Sequence, residues 1–138
     1  MPLTLADVRV GDEAPPTDIV FTRTDFVRYA GASGDLNPMH HDEVRAQAAG
    51  MPSVFGHGML SAGVLASAVT DWLGPGTLTR YSVRFTRQVW PDVPLVARIS
   101  VVGRDGAAGT ADLDCRLETA DGEVVVQGEA TARVAPGA

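Results

Sequence analysis

Hydrophobic positions follow two rhythms along this chain, and the change between them falls at Gly74-Pro75-Gly76. Beyond that point the spacing is two, which sends alternate side chains to opposite faces of a strand. Tyr81, Val83 and Phe85 alternate with Arg80, Ser82 and Arg84, and Leu95, Ala97, Ile99 and Val101 share one face of the next run. Leu113, Cys115 and Leu117 alternate with Asp112, Asp114, Arg116 and Glu118. Val124, Val126, Gly128, Ala130 and Ala132 line one face of the last run. Such alternation describes strands with one covered and one wetter face. The short turns Asp105-Gly106 and Asp121-Gly122 predict antiparallel neighbours.

Before the break the pattern is helical. From Gly58 to Leu73, the residues Met59, Leu60, Ala62, Val64, Leu65, Ala66, Ala68, Val69 and Trp72 leave almost no polar face. A helix apolar on nearly all sides is expected to be buried on nearly all sides. Its many small residues, Ser61, Ala62, Gly63, Ala66, Ser67 and Ala68, let a neighbour pack close to its axis. Residues 1–18, with Pro2, Gly11, Asp12, Pro15 and Pro16, read as irregular, and Ile19 to Phe21 as a short strand. Thr22, with Asp25 three positions on, caps a predicted short helix reaching Tyr29 or Ala30. Gly31 to Pro38 is a turn-rich loop, and a second short helix runs from Asp42 to Ala49 and stops at Gly50. One buried helix and a long antiparallel sheet predict an α+β fold in which the sheet wraps around the helix. Residues 1–138 are expected to form a single domain.

Composition narrows the function. The net charge of −6 argues against a general nucleic-acid binder, because no basic stripe dominates. Every basic residue is arginine, which suits phosphate recognition, although a GC-rich genome produces the same preference with no functional cause and is the favoured explanation. Arg84 and Arg87 are therefore read first as solvated strand residues. The uncharged stretch Gly58 to Thr70 is shorter than the roughly 20 apolar residues that cross a bilayer, so no membrane association is expected. The single cysteine, Cys115, excludes an internal disulfide framework and sits at a covered strand position, as inert packing. With no basic leader before an apolar run, a cytoplasmic location is expected.

The chemistry concentrates in Tyr29-Ala-Gly-Ala-Ser-Gly-Asp35-Leu-Asn37-Pro38-Met-His40. A carboxylate and an imidazole held near each other can share proton-transfer work, since each reaches a working pKa near neutrality. Asp35 and Asn37 taken singly are ordinary turn residues; the complete Gly-Asp-x-Asn-Pro-x-His string is far more specific. His40, His41 and Asp42 do not make a metal site, because adjacent side chains rarely converge on one ion. His57 is read as a residue that fixes the loop before the long helix.

The string from Ser33 to His40 resembles the hydratase motif of the MaoC-like dehydratases and (R)-specific enoyl-CoA hydratases. Gly56-His57-Gly58-Met59-Leu60 is similar to the turn that opens the central helix in that family. The likeness runs from Val10-Gly11-Asp12 to the last strand, and is nearest to short members such as the catalytic subunits of mycobacterial 3-hydroxyacyl-carrier-protein dehydratases. The resemblance implies a hotdog fold and reversible dehydration of an (R)-3-hydroxyacyl thioester, on CoA or an acyl carrier protein, to its 2-enoyl thioester. It implies Asp35 and His40 as the catalytic pair, Asn37 as a substrate-positioning residue, and the Gly58 backbone N–H as donor to the thioester oxygen. The last role also follows physically, since the first N–H groups of a helix are unpaired and its dipole favours a developing oxyanion. Some family members carry serine six residues after the histidine of the second stretch, where this chain has Gly63. No cofactor or metal is expected. The expected assembly is a homodimer, or a heterodimer with another hotdog subunit. Two rival readings remain: a hotdog thioesterase, and a non-catalytic partner subunit, which would have lost the proton-transfer residues.

Overall fold

The computed structural model describes residues 2–137. A single helical turn at Leu5–Asp7 precedes strand β1 (Thr17–Ile19), which lies slightly earlier than the expected Ile19 to Phe21. Helix α1 (Arg23–Ser33) follows, then a single turn at Pro38–His40, helix α2 (Glu43–Ala48) and helix α3 (Gly58–Leu73). Four long strands complete the chain: β2 (Leu78–Phe85), β3 (Leu95–Asp105), β4 (Thr110–Thr119) and β5 (Val124–Arg133).

The start of α1 is set by a reciprocal cap. The Asp25 N–H donates to the Thr22 hydroxyl at 3.2 Å, and the Thr22 N–H donates to the Asp25 carboxylate at 2.8 Å. The helix runs past the predicted end at Ala30, because Gly31 to Ser33 continue it until Gly34 takes a left-handed conformation at φ 77°. That glycine delivers the chain directly into Asp35.

The strands form one antiparallel sheet in the order β1-β3-β4-β5-β2. Its inner face carries the residues that the two-residue spacing selects: Leu95, Ala97, Ile99 and Val101 of β3, Leu113, Cys115 and Leu117 of β4, and Val126, Ala130 and Ala132 of β5 are all buried. The outer face is polar, with Arg98 paired to Glu118 at 2.6 Å and Asp114 bonded to Arg116 and Gln127, both at 2.8 Å. Gly128 lets β5 approach β4, since a Cβ there would lie 3.3 Å from that of Cys115. Burial pushes the Cys115 thiol up to about 12.

Helix α3 occupies the predicted residues and packs on this inner face. Ala62, Leu65, Val69 and Leu73 are fully enclosed there, and burying a leucine such as Leu65 stabilises by about 1.5–3 kcal/mol. The Tyr81 hydroxyl of β2 donates to the Ala62 carbonyl at 2.7 Å, tying strand to helix. The expectation of burial on nearly all sides is not met within this chain. Met59 is 62% exposed, and Gly63, Ser67 and Asp71 are exposed with it, because the sheet covers only one side of the helix.

Candidate active site

Asp35 is held at the end of α1 by local turns that its neighbours encode. Its N–H donates to Ser33 Oγ at 3.1 Å, and its Oδ1 accepts the Asn37 N–H at 3.2 Å. Asn37 Oδ1 in turn accepts the Met39 N–H at 3.1 Å, capping the Pro38–His40 turn. Each short polar side chain thus fixes the backbone two residues on. Asn37 is exposed, and its side-chain oxygen is spent on shaping the turn that carries His40.

His40 projects inward from that turn. Its Nδ1 lies 2.7 Å from the Phe55 carbonyl, which can only accept, so in the neutral imidazole Nδ1 carries the proton and Nε2 is left with a free lone pair. Nε2 faces Asp35 Oδ2 across 3.8 Å, with the Asp35 side chain 52% exposed and that of His40 nearly buried. This separation exceeds a hydrogen bond. Two acceptors facing each other across it leave a place for a third group that brings protons, such as water or a hydroxyl. Phe55 meets the His40 ring edge-on at 5.2 Å between centroids, and the Phe55 N–H returns to the Met39 carbonyl at 3.2 Å. The neighbouring His41 is exposed and turns elsewhere, its Nε2 lying 3.2 Å from the Leu36 carbonyl.

His57, read from sequence as a loop-fixing residue, lies between these groups. Its Nε2 donates to the Asp35 carbonyl at 3.1 Å, its ring stacks on His40 at 3.9 Å and 28°, and Tyr29 meets it edge-on at 4.8 Å. Burial holds its pKa below the ordinary histidine value, only partly offset by the hydrogen bond to the Asp35 carbonyl. No spacing rule joins position 57 to positions 35 and 40; the signals were its place directly before Gly58 and inside the family-like stretch from Gly56 to Leu60.

Gly58 is the first residue of α3, so its N–H has no carbonyl one turn earlier to bond. A Cβ at this position would lie 3.0 Å from the Phe85 ring, so the absence of a side chain permits that contact. Two cavities share Gly58 and Phe85. One, of about 330 Å³, includes Tyr29, Asp35 and His57; the other, of about 300 Å³, is walled by Phe55, Val89 and Val126 with the buried Ser61. Gly63 lies on the exposed side of α3, with nothing within 4 Å of where a Cβ would stand. Arg87 pairs with Glu123 at 3.0 Å.

Asp35, His40 and His57 bring one potential metal-ligand atom each to within 4.8 Å of one another. Zinc ligands bound at about 2.1 Å stand only about 3.5 Å apart, so the trio would have to contract. The Nε2 of His57 is moreover engaged with the Asp35 carbonyl and its Nδ1 is buried, so the donor set does not fit an ion as it stands.

Residues 8–121 match the family described as MaoC like domain. The chain is 32% identical over 132 residues to the (R)-specific enoyl-CoA hydratase of Rhodospirillum rubrum, covering 93% of this chain and 89% of that protein. It is 36% identical over 109 residues to 3-hydroxyacyl-thioester dehydratase Y of Mycobacterium tuberculosis, covering 67% of this chain and 38% of that protein. The unliganded R-hydratase structure from Pseudomonas aeruginosa superposes with a TM-score of 0.87 at 27% identity, covering 99% of this chain and 88% of that one. The chain spans only a part of several other relatives, 5% in the case of a yeast fatty acid synthase β subunit.

Proposed function

Because this chain belongs to the MaoC-like domain family and has its hotdog fold, we propose that it is a hydro-lyase interconverting (R)-3-hydroxyacyl and trans-2-enoyl thioesters. The observation that carries this reading is the pair of acceptors, Asp35 Oδ2 and His40 Nε2, facing each other across 3.8 Å beside the first turn of α3. In hydration, water held between them gives up a proton as its oxygen bonds to the β-carbon, and a proton is delivered to the α-carbon. Dehydration runs the same transfers backwards. Asp35 and His40 between them carry both protons, and no redox step is involved. The Gly58 N–H, reinforced by the dipole of α3, takes the negative charge that develops on the thioester oxygen. Asn37 acts by holding the His40 turn, which positions the pair toward substrate.

The acyl group is carried by CoA or by an acyl carrier protein, and the working unit is two hotdog chains side by side, as a homodimer or with a second hotdog subunit. The uncovered side of α3 and the outer edge of β2, which among the described residues is paired only with β5, support this reading.

The test follows enoyl-thioester absorbance with purified protein on matched CoA and carrier-protein substrates. Loss of the conjugated absorbance with formation of 3-hydroxyacyl thioester is the expected result. Release of free acid in its place would establish a thioesterase.

A further inference from the structure

The His57 ring is only 2% exposed, yet its Nδ1 is the one buried side-chain polar atom without a hydrogen-bond partner among the described residues. An unpaired buried polar atom is costly and calls for a compensating role. The other contacts of this ring supply one. Its Nε2–H reaches back to the Asp35 carbonyl at 3.1 Å, its face lies on His40 at 3.9 Å, and its backbone is the residue from which α3 starts at Gly58. We infer that His57 is a positioning residue, one buried imidazole that holds the Asp35 backbone, braces the His40 ring and fixes both relative to the first N–H of α3. The inference rests on the reading of Asp35 and His40 as the proton-transfer pair.

The geometry also decides where charge goes. With the Asp35 carbonyl accepting from Nε2, a second proton on His57 would have to sit on the buried, partnerless Nδ1. Two stacked imidazolium rings at 3.9 Å would repel, so the pair of rings carries at most one charge comfortably. His40 has a carboxylate facing its Nε2, whereas the titratable groups facing His57 are Tyr29 from α1, Asp35, His40 and His41. The proton taken up during turnover is therefore directed to His40, while His57 stays neutral and serves as a fixed wall. A displacement of about 1 Å at such a pair costs on the order of 10²-fold in rate, which makes a rigid brace valuable.

Three variants separate the two contacts. His57→Phe keeps a ring against His40 and loses the N–H donor, His57→Gln keeps a donor and loses the ring, and His57→Ala loses both. The folded fraction of each is measured by circular dichroism. Turnover per folded molecule of a short-chain 2-enoyl-CoA is expected to fall about 10–100-fold in His57→Ala, with KM changed less than about 3-fold. Phe and Gln should each recover part of that loss. Wild-type kcat in folded His57→Ala, or equal turnover per folded molecule in all three, overturns the inference. Nitrogen-15 NMR of the wild-type imidazoles tests it without any variant. His57 should be a neutral Nε2–H tautomer at about pH 7.5 and take up its second proton only at lower pH than a free histidine does, and a His57 that titrates like a free histidine overturns the assignment. Failure of the wild type to turn over any 2-enoyl thioester would instead remove the reading of the chemistry, and the NMR result would still decide whether His57 braces the two groups.

Discussion

At the scale of single residues, two adjacent histidines have opposite fates. His40 points its free Nε2 at Asp35, while His41 is exposed beside the Leu36 carbonyl. Asp35→Asn and His40→Ala are each expected to lower turnover by about 10²–10⁴-fold, the usual worth of a positioned acid or base. The double variant should be little worse than the poorer single one, because the two groups act on one substrate. His41→Ala should cost far less, and matched assays of the two histidine variants check it. His57 supplies a second prediction, on stability. Its folded pKa lies below the ordinary value of 6.5, so above that value neither state holds the extra proton and the contribution is complete. As pH falls below it, the unfolded chain takes up a proton that the folded chain refuses, and stability is lost progressively toward the lowered folded pKa. Urea midpoints taken from about pH 7.5 down to about pH 5.5 should therefore fall more steeply in the wild type than in His57→Phe. Identical slopes would show that the buried ring takes up its proton freely.

At the scale of elements, the decisive contact is between the start of α3 and the end of β2. Phe85, opposite Val126 in the β2–β5 pairing, lays its ring over Gly58 and borders both cavities while remaining 48% exposed. Gly58→Ala would push a methyl group against that ring at 3.0 Å, and since a half-exposed side chain can move, the fold should survive. What should suffer is the approach of substrate to the helix N-terminus, with kcat/KM down about 10-fold or more. Phe85→Ala removes the obstacle and opens the wall that the two cavities share. It should restore part of the Gly58→Ala loss and, alone, raise kcat/KM for longer acyl chains relative to short ones. A chain-length series on the two single variants and the double one measures the coupling. Strictly additive losses with an unchanged chain-length profile would mean that Phe85 is not part of the substrate's path.

At the scale of the molecule, the sheet wraps only one side of α3, and the surface left over has a definite character. Met59, Gly63 and Ser67 recur at four-residue spacing along α3 and offer an uncharged surface of one exposed methionine beside two small residues, with the β2 edge open as well. Sedimentation is expected to show paired chains, and Ser67→Arg, which places a long charged side chain on that surface, should weaken the pairing and lower activity together. A stable, fully active monomer would contradict the paired assembly. Activity gained only on mixing with a second hotdog chain would make the pair a heterodimer.

Periodicity alone determined most of the architecture. The alternation in β3, β4 and most of β5 marked the covered face, because the pleat allows only two directions for a side chain. At the start of β5 it failed, since the register shifts opposite Leu117 and Glu118 and Val125 rather than Val124 is buried. The Thr22 and Asp25 cap and the bounds of α3 were equally legible, since hydrogen-bond geometry at helix ends is local. The ends of β1 and α1 were misplaced by a few residues; in α1 the polar, glycine-containing Gly31 to Ser33 read as a turn, whereas the helix continues through them until Gly34 takes the left-handed conformation. In the candidate site, Asp35, Asn37 and His40 stood out as one string, held by turns that reach only two residues ahead. Only the tertiary structure could bring in His57 and Phe85. The first meets Asp35 and His40 because α3 starts against the Asp35 loop, and the second meets Gly58 because β2 pairs with β5 and ends beside that start. Such contacts depend on how elements pack, which no local spacing records. Tertiary packing likewise left one side of an apolar helix open, since a five-stranded sheet from one chain curls around it only partway.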